Sequence, residues 1–363
     1  MSLTNKTKAL LIISLAAFMG LLACNKEFED IADTNFPITA PSGSTLNTLI
    51  NNDPNFSILK AAIAKAGLGS LLSDSTLKFT FFAPDNNAFI ASGIASAAVI
   101  NNNAAFDTAT VRSIVRYLVL PQALNIANIP TTFPNLQYPT LLNPAPSISA
   151  LLRLTTFLSK RGNSMWVNNI PITSAGITGS NGIIYKVAAL VAPPSKSLSE
   201  LIAADTLSFF RAALARADTG RTTIEQTSFT EIFKSIGANL TVFAPTNQAF
   251  RNLLVSMGLP PVEAVFGALP ITTVRGIIAY HILGVRAFSV NMPATAANIP
   301  TLFNVAVPTH PGVNVVVTFT GPFVTSFKVT GVGNGGVASN VISQDIHATN
   351  GVYHKIDRVI IPM

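Results

Sequence analysis

Apolar and polar positions follow two different periods along this chain, and the order of the periods repeats. Over residues 56–66 and 207–217 the apolar positions recur at spacings of three and four. Leu59, Ile63 and Ala66 share one face in the first stretch, and Phe210, Leu214 and Ala217 share one in the second. That spacing predicts an amphipathic helix in each. Gly67 and Gly69 stand after the first as a stop. Next, Lys78 to Phe89 reads KFTFFAPDNNAF and Asn239 to Phe250 reads NLTVFAPTNQAF. The β-branched and aromatic run in each predicts a strand. Pro84 and Pro245 remove a backbone donor and disfavour helix in the residue before them, so the strand must stop there. Asp85 or Thr246 can then cap a new helix with its side-chain oxygen. Ala249, Phe250, Leu253 and Leu254 turn that helix toward a core. The motif reads as a strand-to-helix corner, not a catalytic loop.

The repetition extends to four blocks in the same order. Phe56–Ala66 matches Leu207–Ala217 at an offset of 151, and the corner matches at 161. Arg112–Leu120 matches Arg275–Leu283 at 163, and Asn181–Val187 matches Asn350–Ile356 at 169. Offsets that only grow imply two homologous domains, the second carrying insertions. The largest insertion falls around Asp218 to Phe229, whose polar makeup suits a surface loop. Val274 to Leu283 predicts a second apolar helix. Residues 302–343, rich in Val, Thr, Phe and Gly, predict several short strands. Asn350-Gly351 predicts a hairpin turn into a strand from Val352 to Ile361 that ends at Pro362. Helices precede strands in each half, an α+β order.

With 363 residues, 49% hydrophobic and 11% charged, each half can bury a sizeable core. The N-terminus is set aside as a targeting segment. Lys6 and Lys8 precede an apolar run over residues 9–22, and Leu21-Leu22-Ala23-Cys24 follows. This resembles the lipobox of bacterial lipoproteins, and Cys24 is the only cysteine in the chain. The expected organisation is a lipoprotein signal peptide over 1–23, lipidated Cys24 with a flexible tether over 24–44, domain 1 over 45–194 and domain 2 over 197–363. A membrane anchor at Cys24 and placement at the outer membrane follow from the resemblance. The acidic cluster Glu27, Glu29 and Asp30 is similar to a surface-export signal, and a periplasm-facing protein is the alternative. The formal charge of +7 is spread singly rather than in a basic stripe. That pattern argues against nucleic acid as a partner.

TVFAPTNQAF, the Tyr280-His281-Ile282-Leu283 block and the terminal NGVYHKIDRVIIP resemble the fasciclin domain family, and both halves of the chain fit it. The resemblance implies two tandem α+β modules, each a β-sandwich-like wedge with a helical cluster, used in extracellular adhesion. The partner would be a surface or extracellular protein or polysaccharide. A glycan- or nutrient-capture lipoprotein is an alternative that calls for exposed aromatic side chains; Trp166 is the only tryptophan. The resemblance points to Tyr280, His281, Ile282 and Leu283 as contact residues, and a buried, hydrogen-bonded core pair is the competing reading. Domain 1 has Leu118 in place of His281 and Tyr185 in place of His354, which makes domain 2 the expected working module.

The chain shows no convergent catalytic set, and no catalytic residue, cofactor or metal is expected. His347 and His354 could share a metal only across a hairpin. Gly331-Val-Gly-Asn-Gly-Gly336 fits a dinucleotide-binding pattern in letters, but a strand follows where that site needs a helix. A glycine-rich hairpin is expected there. Asp357 is expected to pair with a base or cap a turn.

Overall fold

Phe79–Pro84 (β1) is buried at all six positions, so it can only be an interior strand. In the computed structural model, which describes residues 43–223 and 228–363, it lies at the centre of domain 1. It pairs in parallel with the last strand of that domain, Gly182–Val187 (β8), from Phe79↔Gly182 to Pro84↔Val187. The signal peptide, Cys24 and most of the tether lie outside the described residues. Pro41–Met363 forms one unit.

Six helices precede or flank this pair: α1 Leu46–Asn52, α2 Ser57–Ala66, α3 Gly69–Ser73, α4 Asn86–Ala91, α5 Ala97–Asn102 and α6 Thr108–Tyr117. The other strands are β2 Val119–Leu120, β3 Leu136–Pro139, β4 Thr155–Arg161, β5 Ser164–Val167, β6 Ile170–Pro171 and β7 Ile177–Gly179. They form two sheets, β2-β1-β8-β7 and β3-β4-β5-β6. Gly67 ends α2 in the left-handed conformation at φ 68°, where glycine carries no Cβ penalty. Asp85 caps α4 by accepting from Ala88 N at 2.9 Å.

Domain 2 repeats the plan with α7 Leu198–Ala204, α8 Ser208–Ala217, α9 Phe229–Lys234, α10 Asn247–Ser256, α11 Ile271–Tyr280 and α12 Phe303–Ala306. Its strands are β9 Leu240–Pro245, β10 Ile282–Leu283, β11 Ala297–Ile299, β12 Val313–Thr320, β13 Phe323–Thr330, β14 Ser339–Ala348 and β15 Gly351–Ile356. Thr246 caps α10 through Ala249 N at 3.2 Å, and β9 again pairs in parallel with the closing strand β15. Here the strands form one seven-stranded sheet, β10-β9-β15-β14-β13-β12-β11. The long, bulged β14 bridges what domain 1 splits between β6 and β7.

Three sequence expectations shift at their boundaries. The apolar helix ends at Tyr280, and Ile282–Leu283 form the edge strand β10 on β9. The hairpin turn lies at Thr349-Asn350, with Gly351 already paired to Ala348. The closing strand stops at Ile356 instead of Ile361, because residues beyond it leave the sheet to bond elsewhere. Ile361 N donates to Asn334 Oδ1 at 2.9 Å. Gly331 to Gly336 does form the β13–β14 connection. Two of its glycines have a further cause: a Cβ on Gly333 would lie 2.3 Å from Met363 O, and one on Gly331 would lie 2.6 Å from Ile361 O. The loop is built for close approach of the C-terminal backbone.

Candidate functional site

The residues expected to make contacts are in the core. Tyr280, His281, Ile282 and Leu283 are each 0% exposed. Their polar atoms are bonded inside the domain. Tyr280 Oη donates to Gly312 O at 2.7 Å and accepts from Val332 N at 3.2 Å. His281 Nδ1 donates to Ile277 O at 2.7 Å, and its Nε2 accepts from Ile360 N at 3.1 Å. His281 therefore fastens the departing C-terminal segment to the end of α11. Burial pushes its pKa down to about 4, against a smaller upward effect of the Ile277 carbonyl. The imidazole is neutral at pH 7.

His354 is also wholly engaged, and His347 is tied through one ring nitrogen. His354 Nε2 donates to Ala287 O at 3.2 Å, and its Nδ1 accepts from Asp345 N at 3.1 Å. His347 Nε2 lies 3.1 Å from Arg286 Nη1. Desolvation and the Arg286 charge together hold His347 well below its ordinary pKa, so it accepts that bond as a neutral ring. Asp357 accepts from Asn340 N and Nδ2, both at 2.8 Å, and ties the end of β14. Among the described residues, no cluster of three metal-ligating side chains occurs.

The apolar pattern of each half does not by itself mark the seam where the two domains meet. Phe157 on β4 and Trp166 on β5 are buried together with Phe288, Val290 and Val352 of domain 2. Phe157 and Phe288 lie 5.8 Å apart between ring centroids, and Trp166 and Phe319 lie 6.0 Å apart. Trp166 Nε1 donates to Pro322 O at 2.9 Å, so its polar tip is satisfied across the seam. This tryptophan is 1% exposed and offers no stacking face to a ligand.

Two guanidinium groups cross the seam in opposite directions. Arg286 of domain 2 stacks on Phe157 of domain 1 at 4.7 Å. It donates to Ala348 O at 3.2 Å and Thr349 O at 3.0 Å. Desolvation lowers its pKa to about 10, so it stays cationic at neutral pH. Arg161 of domain 1 stacks on Phe319 of domain 2 at 4.6 Å and donates from Nη2 to Met292 O at 2.7 Å. Such a contact contributes about 2 kcal/mol when desolvated, as for Arg286, and about 0.5–1 kcal/mol when open to solvent. Beside Arg161 the seam opens into a cleft of ≈ 430 Å³, lined by Thr131, Phe133, Lys160, Arg161 and Asn291 among others.

One signal could have marked the seam. Thr80 in domain 1 bonds to Gln122 O and Leu124 N, and Thr241 in domain 2 bonds to Val285 O and Ala287 N. That correspondence aligns Arg286 with Ala123 and Phe288 with Asn125. A cation and an aromatic ring present in one repeat only mark a surface that the other repeat does not share.

Comparison with known proteins agrees with this architecture. The Fasciclin domain family model matches residues 54–193 and 215–362. The transforming growth factor-beta-induced protein ig-h3 of Sus scrofa is 27% identical over 187 residues, covering 49% of this chain and 24% of that protein. The chain thus aligns with about a quarter of that relative's length. A solved FAS1 domain pair from the insect cell adhesion molecule Fasciclin I matches with a TM-score of 0.35 and 16% identity, over 85% of this chain and 97% of that one. With both halves matched, the chain belongs to the fasciclin domain family and carries two tandem fasciclin domains of α+β fold.

Proposed function

We propose that this chain acts by binding rather than catalysis, as a lipid-anchored envelope protein that holds its two fasciclin domains as one body for adhesion. The observation that carries the reading is the shared core of Phe157, Trp166, Phe288 and Val352. A pair joined in this way presents one extended surface of fixed geometry, which suits contact with a surface or extracellular protein or polysaccharide. The domain type supports the reading, since the insect pair comes from a protein described as a cell adhesion molecule.

In this reading Cys24 carries the lipid, residues 24–44 form the tether, and the protein sits at the outer membrane facing outward. Two or more acyl chains hold such a protein stably, where one would not. Tyr280, His281, Ile282 and Leu283 then act by keeping domain 2 folded, and contact falls to the exposed surface.

The test is digestion of intact cells with a protease too large to cross the outer membrane, followed by detection of this protein and an adhesion assay. Digestion together with loss of adhesion supports the reading. Protection until the membrane is opened would overturn outward display and direct the search to periplasmic partners.

A further inference from the structure

We propose that the cleft at the domain seam binds the carboxylated sugar units of an acidic polysaccharide. The inference rests on the binding reading above and names the chemistry of its partner.

The lining of the cleft selects for charge. Lys160 and Arg161 are adjacent on its wall, and no carboxylate lines it. Among the described residues, neither cation takes part in an ion pair. Lys160 Nζ is tied only to Ala127 O, and Arg161 uses Nη2 on Met292 O. Both contacts are to neutral carbonyls, so two positive charges face the cleft without neutralisation. Two wall residues also carry a buried polar atom without a partner, Arg161 Nε and Asn291 Oδ1. Such atoms are uncommon in folded proteins and call for an explanation.

The remaining wall selects for a sugar. Phe133, 38% exposed, supplies part of an aromatic ring. Thr131 and Thr132 supply short hydroxyl groups, and Asn291 of domain 2 holds that stretch in place by donating from Nδ2 to Thr132 O at 3.3 Å. A ring face, several neutral hydrogen-bonding groups and a pair of cations match a pyranose bearing hydroxyls and one carboxylate. A second groove along the seam, of ≈ 160 Å³, has the same sign of charge: Arg153 and Arg286 line it, and again no carboxylate does. Domain interfaces are favoured places for such concave sites.

The experiment titrates the full-length purified chain with a galacturonic acid pentasaccharide, and with maltopentaose as the neutral control. The uronate is expected to bind at least about ten-fold tighter than the neutral sugar, a difference of about 1.4 kcal/mol, and to weaken as salt is raised. Lys160→Glu and Phe133→Ser, both on the open rim, should each weaken it about ten-fold while leaving the unfolding midpoint unchanged. Equal affinity for the neutral sugar, or unaltered binding in both variants, would overturn the proposal. So would a poly-glutamate peptide that binds as tightly as the uronate, since charge alone would then account for it. Cell adhesion that persists in Lys160→Glu would sink the cleft and leave the adhesion reading standing; uronate binding in a protein that does not adhere would do the reverse.

Discussion

Tyr185 and His354 stand at corresponding positions of the closing strands, opposite Phe82 and Phe243, and fix the same loop with different chemistry. The Tyr185 hydroxyl donates to Leu124 O at 3.1 Å and accepts from Ile126 N at 3.2 Å. In domain 2 the work is divided. His354 bonds to Ala287 O at 3.2 Å, and Asp345 accepts from Ser289 N at 2.7 Å. The residue matching Asp345 is Gly176, and both have positive φ, 60° and 89°. A Cβ on Gly176 would come within 2.7 Å of the Tyr185 ring. One tyrosine with a glycine therefore replaces a histidine with an aspartate. Domain 1 has exchanged this device, not lost it.

The exchange predicts coupling. Tyr185→Phe should cost domain 1 about 2 kcal/mol, because it strands a buried carbonyl and amide. Gly176→Asp should be more damaging alone than in the double variant with Tyr185→His. A double-mutant cycle by urea denaturation should give a coupling of about 1 kcal/mol or more. Strict additivity would show that the two devices are unrelated.

Asn350 and Asn181 are wholly buried, each plugging the space between the first helix of its domain, the helix before the central strand, and the closing strand. Asn350 accepts from Leu198 N and donates to Phe233 O and Ser235 O, all at 2.8 Å. Asn181 repeats this with Leu46 N, Leu72 O and Asp74 O. Replacing either by Ala leaves three backbone groups unpaired and should cost about 3 kcal/mol or more. Chemical denaturation of Asn350→Ala checks this, and a loss below about 1 kcal/mol would refute the keystone role.

Acid should unfold domain 2 before domain 1. All four histidines lie in domain 2. His281 is held at about 4 by burial, and His347 and His354 are lowered from the ordinary 6.5. Below about pH 6.5 the unfolded chain takes up protons that the native domain refuses. Stability is then fully present above that pH and falls as the pH drops, by about 1.4 kcal/mol per pH unit toward pH 4 for His281, with His347 and His354 acting in the same direction. Hydrogen exchange at pH 7 and pH 5, resolved by domain, should show protection falling in residues 240–356 first. Equal losses in both domains would contradict the assignment.

At neutral pH, where the histidines of domain 2 carry no protonation cost, the seam should make the two domains unfold together on heating. Trp166→Ala removes the largest side chain in it and the bond to Pro322 O, at a cost of about 3–5 kcal/mol. Calorimetry should then show one transition in the parent chain and two in the variant. Two transitions in both would mean that the seam contributes little.

The repeat made the fold legible. Two copies of a strand broken by Ala-Pro, each with its cap and amphipathic helix, define element type and order without any neighbour. The closing strand ends before its apolar run does, because Val359 and Ile360 stay apolar after leaving the sheet: they fill the two hydrophobic cores of domain 2, and pattern alone does not distinguish the two kinds of burial. Tyr280 and His281 admit both a contact and a core reading from pattern, with core the stronger, since a polar pair on an apolar helix end is satisfied by backbone groups distant in sequence, at Gly312 and Ile360. The apolar pattern hid the seam for a related reason. Phe157, Trp166 and Phe288 look like ordinary core residues of their own domains, and only their partners make them a joint.

The parallel pairing of β1 with β8 and of β9 with β15 bears on how the chain acquires its structure. Phe79 must wait for Gly182, and Leu240 for Gly351. Each central strand therefore lacks its parallel neighbour until more than a hundred further residues have been made, and contacts so distant in sequence form slowly. A chain emerging from its N-terminal end exposes an open strand edge through most of its synthesis. Neither domain can complete its central sheet until its final strand arrives.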